Sequence, residues 1–198
     1  MAPTGQEGKQ EERTIVISGP SGSGKSTIIN KKLFGEFPDK FGFGVSHTTR
    51  SPRAGESPGE SYHYITRDEF EKMIADGGFI EHAQFGGNYY GTSYATVDDI
   101  ARQGKRCILD IEMEGVKQIA KSHLKAKFLF LSPPSPEVLE QRLRGRQTDS
   151  EEAIQKRLTQ AVREMEFARS GEAPHEKIVV NDDLDRAYEE VKEFCLSP

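Results

Sequence analysis

The chain has 198 residues, of which 30% are charged and 34% hydrophobic, and its formal net charge is -5 at pH 7. This length is typical of one domain that can carry inserted lobes. The acidic balance argues against a nucleic-acid-binding surface, and no apolar run in the sequence approaches the length of a membrane span. The two cysteines have neither zinc-site nor redox spacing, so we expect reduced cysteines in a cytoplasmic protein.

Polar side chains of both charge signs fill residues 1–12, which contain no apolar signal-peptide core. This composition predicts a disordered extension. The β-branched run at 14–17 predicts a strand, and the apolar spacing over 26–37 predicts a helix that ends before Pro38. Between them lies the segment G-P-S-G-S-G-K-S at 19–26.

This segment fits the pattern G-x-x-x-x-G-K-[ST] in the strand–loop–helix context that a phosphate-binding loop requires. Its glycines allow the backbone to approach a phosphate, and the N–H groups at the start of the helix form an anion cradle. Lys25 is expected to contact the outer phosphates, and the Ser26 hydroxyl to bind Mg²⁺. The alternative, a Gly/Ser-rich turn that matches by chance, is disfavoured by the flanking strand and helix. The predicted triphosphate-binding residues are Gly19, Pro20, Ser21, Gly22, Ser23, Gly24, Lys25, Ser26 and Thr27.

Strand and helix signals alternate along the rest of the chain, which predicts a parallel α/β sheet flanked by helices. A middle region without long helices interrupts this alternation and predicts an inserted, strand-rich lobe. The predicted elements of the lobe are a strand at 61–64, a helix at 68–75, a strand at 79–85 and a turn at 86–88. The later predicted elements are a helix at 97–103, a strand at 107–111, a helix at 114–123, a strand at 126–131, helices at 138–144 and 150–169, a strand at 176–180 and a helix at 183–194.

One domain at 13–198 therefore accounts for the whole chain after the extension. We expect a core formed by 13–44, 96–136 and 162–198, a lobe at 45–95, and a helical lid at 137–161.

An acidic residue, Asp110, lies at the carboxyl end of the predicted strand at 107–111. In a P-loop protein this position is close to the phosphates, so Asp110 is expected to hold Mg²⁺ directly or through water. The alternative is a structural Asp that caps the strand. Glu112 follows two residues later and is expected to line the same cleft.

Two groups of arginines have the spacing of phosphate ligands. Arg50 and Arg53 flank Pro52 in a rigid turn, which suits bidentate contact with a phosphate, although a solvated basic loop is the common alternative. In the predicted lid, Arg142, Arg146 and Arg157 are expected to close over a phosphoryl group, whereas Arg144 is expected to be a surface residue. The five histidines show no metal-ligand spacing. A phosphate acceptor needs no general base, so a hydrolase is disfavoured.

Several motifs resemble those of the guanylate kinases, P-loop enzymes that phosphorylate GMP from ATP. They are the P-loop, S-H-T-T-R-S-P-R at 46–53, G-G-N-Y-Y-G-T at 86–92, I-L-D at 108–110 and V-N-D-D at 180–183. The resemblance covers about 13–194. Its T-R-x-P-R and N-Y-Y-G-T stretches are more diagnostic than the P-loop, which many families share.

The resemblance implies a phosphotransferase with ATP as donor, Mg²⁺ as cofactor, and GMP (with dGMP) as acceptor. It implies that the GMP phosphate is bound by Arg50, Arg53, Tyr62 and Tyr90, and that the remaining GMP contacts come from Ser46, Glu81, Thr92, Asp110 and Glu112. It also implies that Lys25, Arg142, Arg146 and Arg157 are catalytic and that Asn181 contacts adenine. A carboxylate at residue 81 agrees with guanine, which offers N1–H and 2-amino donors that adenine lacks. Glu112 is a departure, because the family usually has Asp there.

Two other functions stay open from the sequence. One is a kinase for another nucleoside monophosphate, which the Glu112 departure allows. The other is a non-catalytic guanylate-kinase-like module that binds proteins, which the complete P-loop and lid arginines disfavour. We further expect a monomer with no nucleic-acid or membrane partner.

Overall fold

The computed structural model describes residues 12–145 and 150–198. Arg146 and nearly all of the predicted extension at 1–12 lie outside these residues. The described part contains nine strands: β1 (Thr14–Ser18), β2 (Phe41–Phe43), β3 (His47–Thr48), β4 (His63–Tyr64), β5 (Phe79–Phe85), β6 (Asn88–Ser93), β7 (Arg106–Asp110), β8 (Ala126–Ser132) and β9 (Lys177–Val180).

Seven helical segments accompany these strands in the described residues. The first, α1, has a π-helical part (Thr27–Leu33) that continues as one α-helical turn (Phe34–Glu36). The others are α2 (Arg67–Ala75), α3 (Tyr94–Arg102), α4 (Met113–Ile119), α5 (Pro136–Gly145), α6 (Glu151–Arg169) and α7 (Leu184–Leu196). No helix among these residues is long and apolar enough to cross a membrane.

The core is a parallel five-stranded sheet in the order β2-β7-β1-β8-β9. Strand β1 is buried along its whole length, as expected for a central strand covered by helices on both faces. Ile15 and Ile17 pack in one cluster with residues of α1 and α7, whereas Val16 packs in another with residues of α3 and α4. The predicted parallel α/β fold is confirmed.

A second sheet of four strands, in the order β4-β3-β6-β5, lies in the middle of the chain. Strands β5 and β6 form an antiparallel hairpin, and β3 pairs antiparallel to β6 and parallel to β4. The short strands β2 and β3 were not predicted, because three or two residues are too few to show an alternating pattern. Helix α4 ends at Ile119, earlier than predicted. There the Ser122 hydroxyl donates to the Ile119 carbonyl and accepts from the Leu124 N–H, which satisfies the groups that a longer helix would have used.

Candidate active site

The loop between β1 and α1 has no room for a side chain at two of its glycines. Gly19 has φ +142° and Gly24 has φ +104°. A Cβ atom on residue 19 would lie 2.2 Å from the Leu131 carbonyl oxygen, and one on residue 24 would lie 2.3 Å from Asn181 Nδ2. Both the backbone conformation and the space therefore exclude a side chain, and the loop can present its N–H groups to a ligand.

Asn181 braces this loop from the end of strand β9. Its Nδ2 atom donates to the Ser23 carbonyl at 2.7 Å, and its own N–H donates to the Ser132 carbonyl at 2.8 Å. The Asn181 carbonyl in turn accepts from Arg142 Nη2 at 2.9 Å. The predicted adenine contact and one predicted lid arginine thus lie against each other, with Asn181 buried beneath the loop.

A cleft of about 880 Å³ opens beside the loop. It brings together many of the residues that the sequence singled out: Gly19, Ser21, Gly22, Gly24, Lys25, Ser26, Thr27, Asp110, Glu112 and Arg157. Sequence reasoning did not anticipate the six other lining residues, which are Phe85, Ala153, Lys156, Gln160, Ala161 and Glu164. Glu164 is nearly fully buried, and burial raises its pKa.

Lys25 lies at the floor of the cleft. Its Nζ donates to the carbonyls of Gly19 at 2.5 Å and Pro20 at 3.3 Å, and lies 3.7 Å from Asp110 Oδ1. Burial raises the pKa of Asp110, and the nearby Lys25 ammonium opposes that shift. A cation held in this position can exchange its loop carbonyls for phosphate oxygens.

Oxygen donors suited to Mg²⁺ face the same cleft. The Ser26 hydroxyl is exposed at the start of α1, and the Asp110 carboxylate ends strand β7. Mg²⁺ prefers hard oxygen ligands and commonly takes only one or two from protein, the rest coming from water and phosphates. Within 12–145 and 150–198, no group of three or more His, Cys, Asp or Glu residues could hold a metal. The residues present fit a cation that arrives with a nucleotide.

The helices α5 and α6 carry two of the three predicted lid arginines, Arg142 and Arg157. Arg157 Nη1 donates to Ser21 Oγ at 2.7 Å, so α6 reaches the phosphate loop. Arg142 contacts Asn181, as described above. Arg144 instead forms ion pairs with Glu140 and Glu151 at 2.8 and 2.5 Å and is about 40% exposed. Arg146 lies outside the described residues.

A second basic cluster lies on the lobe. The Arg50 guanidinium sits 5.3 Å from the centroid of the Tyr62 ring, and the Tyr62 and Tyr90 rings are 6.0 Å apart. The structure therefore brings three of the four predicted phosphate ligands together. Arg53 is exposed on the same loop, and its backbone N–H donates to Glu56 at 2.8 Å. Sequence reasoning missed Glu56, because it falls in a segment that predicts only a loop.

The base-recognition candidates form a small polar group on strands β5 and β6 and just before strand β3. Glu81 is 9% exposed, and burial raises its pKa, with hydrogen bonding by Thr92 opposing the shift and the charge of Glu112 adding to it. The hydroxyls of Ser46 and Thr92 are 3.1 Å apart. Gly115 allows the Glu81 carboxylate to approach α4, since a Cβ there would lie 3.2 Å from Glu81 Oε2. A buried acceptor with two neighbouring hydroxyls suits a ligand that carries adjacent N–H donors.

Comparisons with known proteins agree with this geometry. A family model described as guanylate kinase matches residues 11–197. The guanylate kinase of Schizosaccharomyces pombe is 46% identical over 185 residues, covering 93% of this chain and 91% of its own length. The guanylate kinase of Sus scrofa is 48% identical over 181 residues, covering 91% and 90%.

Solved structures point in the same direction. The crystal structure of guanylate kinase from Anaplasma phagocytophilum is similar with a TM-score of 0.67 and 27% identity, covering 94% of this chain and 85% of that one. The resemblance noted in the motifs and the P-loop fold are both confirmed. The chain belongs to the guanylate kinase family.

Proposed function

We propose that this protein transfers the γ-phosphate of ATP to GMP, giving ADP and GDP, and that dGMP is a second acceptor. Guanylate kinases are ATP:GMP phosphotransferases. The observation that carries the assignment to this chain is Glu81, a carboxylate buried beside two hydroxyls, in a protein that also has a phosphate-binding loop and a separate arginine–tyrosine cluster. A kinase that acts on a nucleoside monophosphate needs these three features together.

The acceptor binds on the lobe. Arg50, Arg53, Tyr62 and Tyr90 hold its phosphate, because guanidinium forks and phenolic hydroxyls match several phosphate oxygens at once. Glu81 accepts hydrogen bonds from N1–H and the 2-amino group of guanine, while Ser46 and Thr92 contact the same base. Asp110 and Glu112 complete the acceptor side of the cleft. Adenine lacks the paired donors and would leave the buried carboxylate unsatisfied, so AMP is rejected.

The donor binds at the loop, with its phosphates on the N–H groups of residues 19–27 and on Lys25 Nζ, and with its adenine near Asn181. Ser26 and Asp110 would hold Mg²⁺, which would neutralise negative charge on the β- and γ-phosphate oxygens. An oxygen of the GMP phosphate attacks the γ-phosphorus in line as the bond to the ADP oxygen breaks. Lys25, Arg142, Arg146 and Arg157 stabilise the negative charge during the transfer.

We divide the domain into a core (13–44, 96–136 and 162–198), a GMP-binding lobe (45–95) and a lid (137–161). In this proposal the lobe and lid close on both nucleotides and exclude water from the reacting phosphates. We also predict, from the sequence, that the protein is a cytoplasmic monomer and that it has no nucleic-acid or membrane partners.

The proposal is tested by incubating the purified protein with ATP and Mg²⁺ against GMP, dGMP, AMP, UMP and dTMP and measuring the ADP formed. We expect rapid ADP formation with GMP and dGMP and little with the other three. Preference for another acceptor would reject the assignment of Glu81, Ser46 and Thr92 to guanine. Absence of turnover in a folded, ATP-binding protein would instead favour a non-catalytic binding module.

A further inference from the structure

Glu56 makes a network of hydrogen bonds on the lobe. Its two oxygens accept from Arg50 Nη1 at 3.0 Å and Nη2 at 2.9 Å. One of them also accepts from the Arg53 N–H at 2.8 Å and from the Tyr64 hydroxyl at 2.8 Å. The side chains of Arg50 and Glu56 are only 13% and 22% exposed. A bidentate, shielded ion pair of this kind fixes the plane of a guanidinium, which an exposed pair does not.

The pairing determines which edge of Arg50 is presented to a ligand. A guanidinium has five N–H donors. Nη1 donates one hydrogen to Glu56 and the other to the Ser51 carbonyl, which lies 2.8 Å away, and Nη2 donates one hydrogen to Glu56. These bonds do not involve the Nε–H or the second Nη2 hydrogen. Those two hydrogens point in the same direction and form the side edge of the planar guanidinium group. The Tyr62 ring and Tyr90 flank the same guanidinium.

We propose that Glu56 is a positioning residue for the acceptor phosphate: it holds Arg50 end-on, so that the side edge of the guanidinium binds the phosphate together with Tyr62 and Tyr90. This inference rests on the proposed function of the lobe. Glu56 also fixes the backbone of Arg53 through its N–H, so one carboxylate orients both arginines of the turn. It does not contact the substrate itself.

A competing role for Glu56 has the opposite consequence. A carboxylate that merely occupied the phosphate position would leave Arg50 when GMP bound, and removing its charge would strengthen GMP binding. The hydrogen bonds from the Arg53 N–H and the Tyr64 hydroxyl argue against such a departure, because both would lose an acceptor. The Arg50 hydrogen bond keeps the pKa of Glu56 low, at about 2, so the pair stays charged at any pH suitable for an assay.

The test compares Glu56→Gln with the wild-type protein and with Tyr64→Phe, which removes one hydrogen bond to Glu56 and leaves Arg50 paired. Glu69→Ala is the matched control, because it deletes another lobe carboxylate, which caps α2 and does not contact Arg50. Calorimetry measures the affinities for GMP and ATP, and competition measures the affinity for guanosine, which carries the base without the phosphate. Steady-state kinetics with GMP then separates KM from kcat.

We expect Glu56→Gln to weaken GMP binding about tenfold or more, since one hydrogen bond to a charged group has an effect of this order. Guanosine and ATP affinities stay unchanged, the KM for GMP rises more than kcat falls, and Tyr64→Phe shows a smaller change in the same direction. Tighter GMP binding by Glu56→Gln would overturn the proposal in favour of competition. Equal losses for GMP and guanosine, or the same loss in Glu69→Ala, would overturn it in favour of a purely structural role. Failure of the wild-type protein to bind GMP would reject the proposed function itself.

Discussion

Arg157 Nη1 donates a hydrogen bond to Ser21 Oγ at 2.7 Å and so joins helix α6 to the phosphate-binding loop across the cleft. Helix α6 thus reaches the loop through a side chain that can also contact a phosphate. A guanidinium at this distance from the loop can neutralise charge on a phosphoryl group that leaves the donor.

Removal of Arg157 should therefore slow catalysis more than it weakens binding. For Arg157→Ala we expect kcat to fall by about 10²–10³, as for other groups that stabilise a transferring phosphoryl. Arg144→Ala is the control, because it deletes the same charge from the neighbouring helix α5 and only breaks partly exposed ion pairs. Steady-state kinetics at saturating ATP and GMP gives the comparison. Similar losses in the two variants would show that lid charge, not the Arg157 position, matters.

The Lys25 ammonium should be indispensable for turnover and dispensable for folding. Its contacts are loop carbonyls and Asp110, none of which belongs to the apolar core. We expect Lys25→Ala to lower kcat by a factor on the order of 10² or more, with an unchanged circular dichroism spectrum. Lys31→Ala, which removes an exposed lysine of the helix α1 that follows the loop, serves as the control. Retained kcat in Lys25→Ala would refute the role assigned to this lysine.

Substitution of Glu81 should weaken acceptor binding and leave donor binding nearly unchanged. Glu81→Ala removes the buried acceptor for the guanine donors, so we expect GMP affinity to fall about 10²-fold or more while ATP affinity changes little. Titration calorimetry with each nucleotide measures both. Comparable losses of GMP and ATP affinity would mean that the substitution damages the cleft as a whole.

Glu112 should be replaceable by Asp with a gain in stability. Residue 112 is the N-cap of α4, and the longer Glu side chain makes no capping hydrogen bond there. Asp is among the best N-cap residues, so Glu112→Asp should raise the free energy of unfolding by about 0.5–1 kcal/mol. Urea unfolding measures the change. Glu112→Gln is the control, because it keeps the length of the Glu side chain and removes its charge. Equal stabilities of the Asp and Gln variants would exclude capping as the cause.

Stability should fall in acid because of two half-buried histidines. Burial lowers the pKa of His175 from 6.5 to about 4, and burial beside His63 does the same to His47. Between pH 6.5 and 4 the unfolded chain binds protons that the folded protein excludes, so the free energy of unfolding decreases as the pH falls. One such group contributes at most about 1.4 kcal/mol per pH unit.

The pH dependence identifies the contribution of His175. Urea unfolding at several values between pH 4.5 and 7.5 should give a smaller slope for His175→Gln than for the wild-type protein. Substitution of the exposed His123 by Gln should leave the slope unchanged. If the free energy of unfolding of His175→Gln depends on pH with the wild-type slope, other groups cause the acid sensitivity.

Local patterns predicted the parts of the site that lie on regular elements. The strand–loop–helix around Lys25 and the strand that carries Glu81 have signals within a few adjacent residues, and the structure has both elements. The T-R-x-P-R turn was visible for the same reason. Such signals come from residues that are adjacent in sequence, so a single sequence is enough to detect them.

Features made by distant residues could not be predicted in this way. Glu56 gains its partners only after the loop folds back on Arg50 and Tyr64, and its own segment shows nothing but turn residues. Gly115 makes room for Glu81 although the two are 34 positions apart in sequence, a spatial relationship that no periodicity encodes. The positions of Glu56 and Gly115 relative to their partners are set by packing between elements.

The hydrogen bond from Asn181 to the Ser23 carbonyl spans 158 residues of sequence. During synthesis the side chain that braces the loop is added 158 residues after the loop itself. At 5–20 residues per second, a nascent chain spends roughly 8–30 s with an unbraced loop. The braced form of the loop therefore exists only after strand β9, which leads into Asn181, has been synthesised.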